Sequence, residues 1–295
     1  MIIASEIGGL GNRFKAWASV LRMSDDARVY WPVNDVMPAS FSQLFENDCG
    51  IGEIPQAAES YTSWRLHLEP EDLLHLPRGF TAVGSSVHPL IRGLDKAWWN
   101  FRGQRTDRYR YMIFPKSHSR RMTRADGRHI DLEYGRIPRY FRDLYSGLFR
   151  QIRVRTEIVQ RVDAWAGEHL DDGVIGVQVR SWRDDAKRHR KYHLPSMKRL
   201  HTLMDASGSA ARFLVVSDSD QVVRDLGARY GDDRMLQFSR TTDREASWAG
   251  AEGITEDLID MLLLSRTRHM FASYLSTFSE AAWWFGGARA EVEVF

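Results

Sequence analysis

Short, almost wholly apolar segments alternate with amphipathic ones throughout the second half of the chain, and this alternation restricts the possible folds more than any other property of the sequence. Strands that are separated by helices pair in parallel, and parallel strands are covered on both faces, so they read as nearly continuous apolar runs. The runs VIGVQV and FLVV have this character. The pattern predicts a doubly wound α/β sheet with strands over 174–179, 213–216 and 269–273 and helices over 156–169, 195–204, 221–230, 254–265 and 277–285.

The amino-terminal 45 residues carry a smaller version of the same pattern. A β-prone run over 1–5 ends in a glycine turn, after which Asn12 is placed to cap a helix whose apolar face includes Phe14 and Trp17. A second strand is predicted over 28–31 and a short helix over 41–45. Because a single core stops growing near ~250 to 300 residues, we expect two domains in this chain of 295, residues 1–150 and 151–295.

The formal net charge of +2 is unevenly distributed. The segment 92–161, called the basic belt below, holds 18 Lys and Arg against seven Asp and Glu, with Trp98, Tyr109 and other aromatic residues between them. Such a belt suits nucleic acid, an anionic lipid surface or an anionic small ligand, and it equally suits a solvated face that pairs with the acidic flanks. Since the sequence contains no recognised nucleic-acid module, we do not expect a nucleic-acid partner.

Several classes of protein are disfavoured by what the sequence lacks. No apolar run approaches the ~18 residues that span a bilayer, and the start MIIASEIGGLGNR does not resemble a signal peptide. The single cysteine, Cys49, excludes an intrachain disulfide and a cysteine zinc site. We therefore expect a cytoplasmic protein without an integral membrane segment. The histidine pairs His189 with His193 and His118 with His129 lack carboxylates at ligand spacing, so we expect no metal site.

Polar residues follow each predicted strand, where ligands of open parallel sheets bind. Arg180 follows the strand 174–179 and is suited either to bidentate phosphate binding or to an ion pair with Asp184 or Asp218. Asp218 is suited either to a guanine edge or to a helix cap. The turn Ser276, Thr277, Phe278 opens a helix, where hydroxyls cap and free amides bind phosphate.

The glycine turn has two interpretations of its own. Gly8, Gly9 and Gly11 permit a tight strand-to-helix turn, and their missing Cβ atoms also let backbone amides approach an anion. Neither a P-loop nor the GxGxxG fingerprint is present. The sequence therefore gives no support for ATP or NAD as a cofactor.

Four segments, in order and spacing, resemble the fucosyltransferase superfamily, which includes nodulation-type and core alpha-1,6-fucosyltransferases, bacterial alpha-1,2-fucosyltransferases and protein O-fucosyltransferases. They are GGLGNRFKAWAS, IGVQVRSWRDD, FLVVSDSDQV and EDLIDMLLLSRTRHMFASYLSTFSEAAWWFGG. The last is the most specific. The resemblance covers the first 45 residues and most of 156–288, and residues 50–155 are unmatched.

The resemblance implies a GT-B architecture, with two Rossmann-like domains facing across a cleft. The domain 151–295 would hold GDP-fucose, and the domain 1–150 would form the acceptor side with the basic belt as an insert. Transfer would invert the anomeric carbon without a metal or a permanently bound cofactor. The partners would be the nucleotide-sugar donor and a glycan or small hydroxyl acceptor.

The resemblance also implies roles for particular residues. Arg180 matches the arginine that clamps the diphosphate, Asp218 the aspartate near the guanine, and Ser276, Thr277 and Phe278 the phosphate seat. Asn12, with Gly9 and Gly11, matches the glycine motif that faces the donor across the cleft. The chain departs from the family at Gln178, where relatives have histidine, and at Ser181, where many have a second arginine that Arg183 could replace.

The departures leave other functions open. A donor of the GDP-mannose type is one alternative, and a non-catalytic GT-B-like binder of anionic ligands through the basic belt is another. For an enzyme, the acceptor hydroxyl needs a base. Asp184 and Asp185 lie where some relatives place an acidic residue, and Glu6 lies just before the glycine turn; of these three candidates Asp184 ranks first.

Overall fold

The computed structural model describes residues 3–5, 8–21, 28–51, 65–67, 134, 139–274 and 276–295. The amino-terminal elements form a three-stranded sheet of order β2-β1-β3, in which β1 pairs in parallel with β2 and antiparallel with β3. These elements are β1 (Ile3–Ser5), α1 (Leu10–Leu21), β2 (Arg28–Tyr30), α2 (Phe41–Leu44) and β3 (Arg65–His67).

The remaining elements build a five-stranded parallel sheet of order β6-β5-β4-β7-β8. They are α3 (Arg139–Phe149), α4 (Thr156–His169), β4 (Ile175–Val179), α5 (Ala186–Arg188), α6 (Leu194–Ala206), β5 (Phe213–Ser217), α7 (Asp220–Tyr230), β6 (Met235–Leu236), α8 (Ala251–Leu264), β7 (His269–Ala272), α9 (Thr277–Phe285) and β8 (Glu291–Val294). A π-helical turn, His189–His193, joins α5 to α6, and a 3₁₀ segment, Arg244–Ala249, precedes α8. The predicted α/β sheet is confirmed.

The central strands β4 and β5 are buried at every position, as their continuous apolar sequences predict. Successive strand residues point to opposite faces. Leu214 and Val216 accordingly pack in a cluster with Leu258 of α8. Val177 and Val215 pack in a second cluster with residues of α6 and α7.

Helix α1 packs directly against α9, the last helix of the chain. The Phe14 ring lies 5.0 Å from the Phe285 ring in an edge-to-face contact, and both rings contact Phe149 of α3. A buried ion pair joins Lys15 to Glu280 in the same interface. The amino-terminal elements and the larger sheet therefore share one hydrophobic core. The expected domain boundary near residue 150 stays a prediction.

Helix α1 begins earlier than the sequence predicts. The Gly9 carbonyl accepts hydrogen bonds from the N–H groups of Asn12 (3.0 Å) and Arg13 (3.2 Å), so the helix starts at Leu10. Asn12 lies in the first turn instead of at the cap. The prediction of an Asn12 cap is wrong because the glycine turn itself supplies the first carbonyl of the helix.

Candidate functional site

The order of the larger sheet reverses beside β4, because β5 and β6 lie on one side of it and β7 and β8 on the other. Ser273, the residue after β7, locks the two strand ends together. Its N–H and its hydroxyl both donate to the Gln178 carbonyl, at 3.1 and 3.0 Å, and its Oγ accepts from the Arg180 N–H at 2.8 Å. Ligands of open α/β sheets bind at such a reversal point.

Arg180 and Asp218 meet at this edge of the sheet. The Asp218 carboxylate accepts from the Ser181 N–H at 2.7 Å and pairs with the Arg180 guanidinium at 2.8 Å. The Arg180 side chain nevertheless keeps 43% of its surface exposed. Of the two partners predicted for an ion pair with Arg180, the structure places Asp218 in contact. Asp218 does not cap α7, since that helix begins after Ser219.

Trp182 stands beside this pair and was not singled out from the sequence. Its backbone adopts φ +54°, in the left-handed region that costs a bulky residue on the order of 1 to 3 kcal/mol. The guanidinium groups of Arg180 and Arg188 lie over its ring, 5.3 and 5.0 Å from the centroid. The sequence gives no indication of this conformation, because a positive φ is expected from the residue type mainly at glycine.

The region at this edge of the sheet between the turn that follows β4 and the amino terminus of α9 is called the crevice below. Helix α9, which follows β7, begins on its second side. The Ser276 hydroxyl caps the helix by accepting from the Ser279 N–H at 3.2 Å. Among the residues that the structure describes, the N–H groups of Thr277 and Phe278 have no acceptor. Free amides at a helix amino terminus attract anions. The predicted capping role of Ser276 and the proposed phosphate seat therefore share one turn.

Gln178 and Gly11 fix the position of that turn. The buried Gln178 amide oxygen accepts from the Ser279 hydroxyl at 2.8 Å, which ties β4 to α9. A Cβ on Gly11 would lie 2.5 Å from the Thr277 backbone, so only glycine allows α1 to come this close. Gly9 is exposed with open space around its Cα, and Asn12 is exposed.

Arg183 closes the side of the crevice next to β5. Its guanidinium pairs with the Glu245 carboxylate at 2.8 Å, donates to the Glu245 carbonyl, and lies 5.3 Å from the centre of the Trp248 ring. Trp248 is 41% exposed. Glu245 and Trp248 belong to the 3₁₀ segment that follows β6, an element that the sequence does not predict. Arg183 thus clamps the 3₁₀ segment to the turn that follows β4.

A cluster of charged side chains anchors the chain on both sides of that segment. Its members are the buried Arg240, Arg244, Glu256 and Asp260 and the half-buried Asp257. Arg240 contacts Asp257 at 2.8 Å and Asp260 at 3.0 Å, while Arg244 donates to the Ser217 carbonyl at 3.2 Å. Burial raises the pKa of Asp260 to about 6 despite the two guanidinium groups beside it. Glu256 and Asp257 lie beyond the first turn of α8, because this helix begins at Ala251 and not at the predicted residue 254.

Two histidines lie beneath the strand-end turn. His189 Nδ1 lies 2.7 Å from the Ser181 carbonyl, and its ring lies 4.7 Å from that of His193. Burial lowers the pKa of His193, and His189 lowers it further, whereas the Arg180 backbone and Asp218 act in the opposite direction. Within the described ranges, no three His, Cys, Asp or Glu side chains form a metal site.

The predicted general bases differ in their surroundings. Asp184 is 73% exposed and lies 3.6 Å from the Arg183 guanidinium. The Asp185 carboxylate caps α5 by accepting from the Arg188 N–H at 2.9 Å. Glu6 and most of the basic belt lie outside the described residues. None of the described helices is long and apolar enough to cross a membrane.

A five-stranded parallel sheet with a polar crevice at its reversal point defines an α/β protein of the doubly wound class. No protein-family model and no curated protein matches the chain. Solved structures do. The fucosyltransferase NodZ from Bradyrhizobium aligns with a TM-score of 0.51 and 18% identity over 95% of this chain and 90% of its own.

A second solved structure, POFUT1 in its apo form, aligns with a TM-score of 0.50 and 13% identity over 99% of this chain and 97% of its own. At such identities the similarity establishes the fold. The chain therefore has an α/β glycosyltransferase fold, and the resemblance inferred from the sequence motifs is confirmed at that level.

Proposed function

We propose that the chain is a glycosyltransferase that transfers fucose from GDP-fucose to a hydroxyl of a glycan or small acceptor. One observation carries the proposal: an exposed arginine follows β4, and the helix amino terminus of α9, with the amides of Thr277 and Phe278, follows the neighbouring strand β7. That pair supplies fixed positive charge for a diphosphate. The fold shared with the fucosyltransferase NodZ and the motif resemblance support fucose as the sugar.

The proposed reaction is a displacement in which negative charge develops on the leaving diphosphate. The acceptor oxygen attacks the anomeric carbon while the bond from that carbon to the diphosphate oxygen breaks, so the configuration inverts. Negative charge grows on the departing diphosphate, where Arg180 and the amides of Thr277 and Phe278 would stabilise it. The acceptor proton passes to a base, for which Asp184 is the most available carboxylate of this turn.

Fixed cations make a metal unnecessary in this scheme. Arg180 is already oriented by Asp218, so little reorganisation accompanies binding. Both oxygens of Asp218 accept contacts from Arg180 and Ser181, which supports an orienting role for this carboxylate. Its expected guanine contact stays a prediction, as do the roles of Gln178, Arg183, Gly9 and Asn12. We further propose the GT-B arrangement, in which the acceptor enters from the amino-terminal side.

A donor screen tests the proposal. Hydrolysis and transfer are measured with GDP-fucose, GDP-mannose and UDP-sugars, and the Arg180→Ala variant serves as the control for the site. We expect turnover with GDP-fucose that the variant loses. Turnover of GDP-mannose or a UDP-sugar in preference to GDP-fucose would contradict the donor assignment, and the absence of turnover together with the absence of GDP binding would contradict the function.

A further inference from the structure

The turn that carries Trp182 is held from several directions at once. The Ser181 N–H donates to Asp218 and the Ser181 carbonyl contacts His189, while the Trp182 carbonyl accepts from the Asp185 N–H at 2.9 Å. A residue stays in a strained conformation only where its surroundings over-determine it. Trp182 is such a residue, and glycine at this position would avoid the strain.

The indole ring is also fixed in place. Tyr192 of the π-helical turn lies 6.1 Å from it, and Tyr274, after β7, lies 5.5 Å from Tyr192. The ring is therefore one end of an aromatic row that runs from the end of β4 to the end of β7. π-Helical turns occur frequently at functional sites, and this one supplies the central ring of the row.

The fixed ring contacts the arginine on which the proposed chemistry depends. The Arg180 guanidinium lies 2.8 Å from the Asp218 carboxylate and 5.3 Å from the centre of the Trp182 ring. The carboxylate and the aromatic face together restrict the orientations that this guanidinium can adopt. A ring quadrupole attracts a cation without neutralising it. Unlike a second carboxylate, the indole therefore orients Arg180 and leaves its charge available for an anion.

We propose that Trp182 is a positioning residue that holds the Arg180 guanidinium in its diphosphate-binding orientation, and that the strained turn is retained because it delivers this ring. The inference rests on the proposed function, since it concerns the arginine that would bind the donor. Arg188 lies over the same ring and pairs with Asp185 at 3.2 Å, so it braces the indole from the neighbouring helix.

Three substitutions separate the ring from the backbone. Trp182→Gly removes the ring and relieves the left-handed strain, so it is the variant expected to fold best. Trp182→Ala removes the ring and keeps the strain. Trp182→Phe keeps an aromatic face. Trp165→Ala, which removes a half-buried tryptophan of α4 that packs on His169 and Phe238, is the matched control.

Each variant is titrated calorimetrically with GDP and with inorganic pyrophosphate, in the wild-type and the Arg180→Ala backgrounds. We expect Trp182→Gly and Trp182→Ala to weaken GDP binding roughly three- to tenfold in the wild-type background, the range for loss of one cation–π contact. In the Arg180→Ala background the same changes should cost less than about twofold, because the interacting partner is gone. Trp182→Phe and Trp165→Ala should stay within about twofold of wild type.

Other outcomes overturn the inference. Trp182→Gly that binds GDP as well as wild type shows that the ring does not act, and an equal loss in both backgrounds shows that it acts without Arg180. If the wild-type protein binds pyrophosphate but not GDP, the proposed donor is contradicted. The pyrophosphate titrations of the Trp182 variants in the two backgrounds then test whether Trp182 positions Arg180. Binding of neither probe overturns both proposals.

Discussion

Among the single residues of the crevice, Arg180 is the one whose substitution best distinguishes an effect on ligand binding from an effect on folding stability. Its guanidinium is exposed on one side and paired with Asp218 on the other, so a purely structural role and a ligand-binding role make different predictions. A structural ion pair this exposed contributes little to folding. A charge-assisted contact to a diphosphate contributes far more to binding. Stability and affinity should therefore respond differently to its removal.

We expect Arg180→Ala to lose ~1.5 to 3 kcal/mol of GDP binding free energy and to lose more in turnover, where charge develops on the leaving group. Arg180→Lys should restore little, because an ammonium does not reproduce the planar fork. Calorimetric titration of folded variants measures this. Arg229→Ala removes a similarly exposed arginine, paired with Asp205 at 3.0 Å, and is the control. Unchanged affinity and turnover in Arg180→Ala would remove this residue from the site.

Asp260 makes a prediction about pH. Its folded pKa of about 6 lies above its ordinary 3.8, so the folded state holds the proton more tightly than the unfolded state does. The contribution of Asp260 to stability should therefore fall as pH rises from about 4 to about 6 and change little above that. A shift of two units corresponds to about 3 kcal/mol. Urea denaturation of wild type and Asp260→Asn at pH 4 and pH 7 measures the difference.

The Asp260→Asn variant provides the comparison because it cannot titrate at this position. Its stability relative to wild type should rise between pH 4 and pH 7, since the wild-type protein alone has to ionise a buried carboxyl. A relative stability that does not change with pH would show that Asp260 ionises with an ordinary pKa in the folded protein.

At the scale of elements, the close packing of α1 against α9 depends on the absence of a Cβ atom at Gly11. Gly11→Ala would place a Cβ 2.5 Å from the Thr277 backbone, so one helix has to move. We expect this variant to lose several kcal/mol of unfolding free energy and to bind GDP weakly, because the α9 amino terminus shifts. Thermal and urea denaturation together with GDP titration measure both effects.

Gly167→Ala is the matched control, because this glycine lies in α4 and a Cβ added to it would have no atom within 4 Å beyond the local backbone of its own helix. Alanine there should raise the unfolding free energy by ~0.4 to 1 kcal/mol, since it restricts the unfolded chain. Equal effects of the two substitutions would contradict the packing argument at Gly11.

The sequence predicts those elements whose periodicity matches their burial. The bounds predicted for α4 and α9 agree with the structure, and β4, β5 and β7 differ by a residue at one end. It does not predict β8, whose residues alternate between exposed and half-buried at the sheet edge and lie beyond the last helical pattern. Nor does it predict the π-helical turn, because a run of basic residues with two histidines has no apolar periodicity.

The candidate site is predictable to a similar extent. Strand-end position identifies Arg180, Asp218 and the Ser276 turn, since the carboxyl ends of parallel strands share one edge. The contacts of Trp182, the Arg183–Glu245 clamp and the pairing of Arg240 with Asp257 depend on segments that are far apart in sequence and meet only after folding. Residue type and spacing along the chain do not predict such long-range contacts.

For the molecule as a whole, the proposed neutralisation of a diphosphate by fixed groups has a measurable consequence. We expect GDP affinity to be the same with EDTA as with magnesium, because Arg180 and the α9 amides supply the positive charge. Calorimetric titration with and without chelator tests this. A loss of affinity on chelation that magnesium or manganese restores would contradict it.

The interlocking of α1 with α9 limits how this chain can be recombined with its structural relatives. Gly11, Phe14 and Lys15 of α1 contact Thr277, Phe285 and Glu280 of α9. The position of α9 therefore depends on residues near the other end of the chain. A chimera joined near residue 150, made to exchange residues 1–150, would separate these partners. An exchange that preserves the proposed donor site must carry the glycine turn and α1 together with residues 151–295.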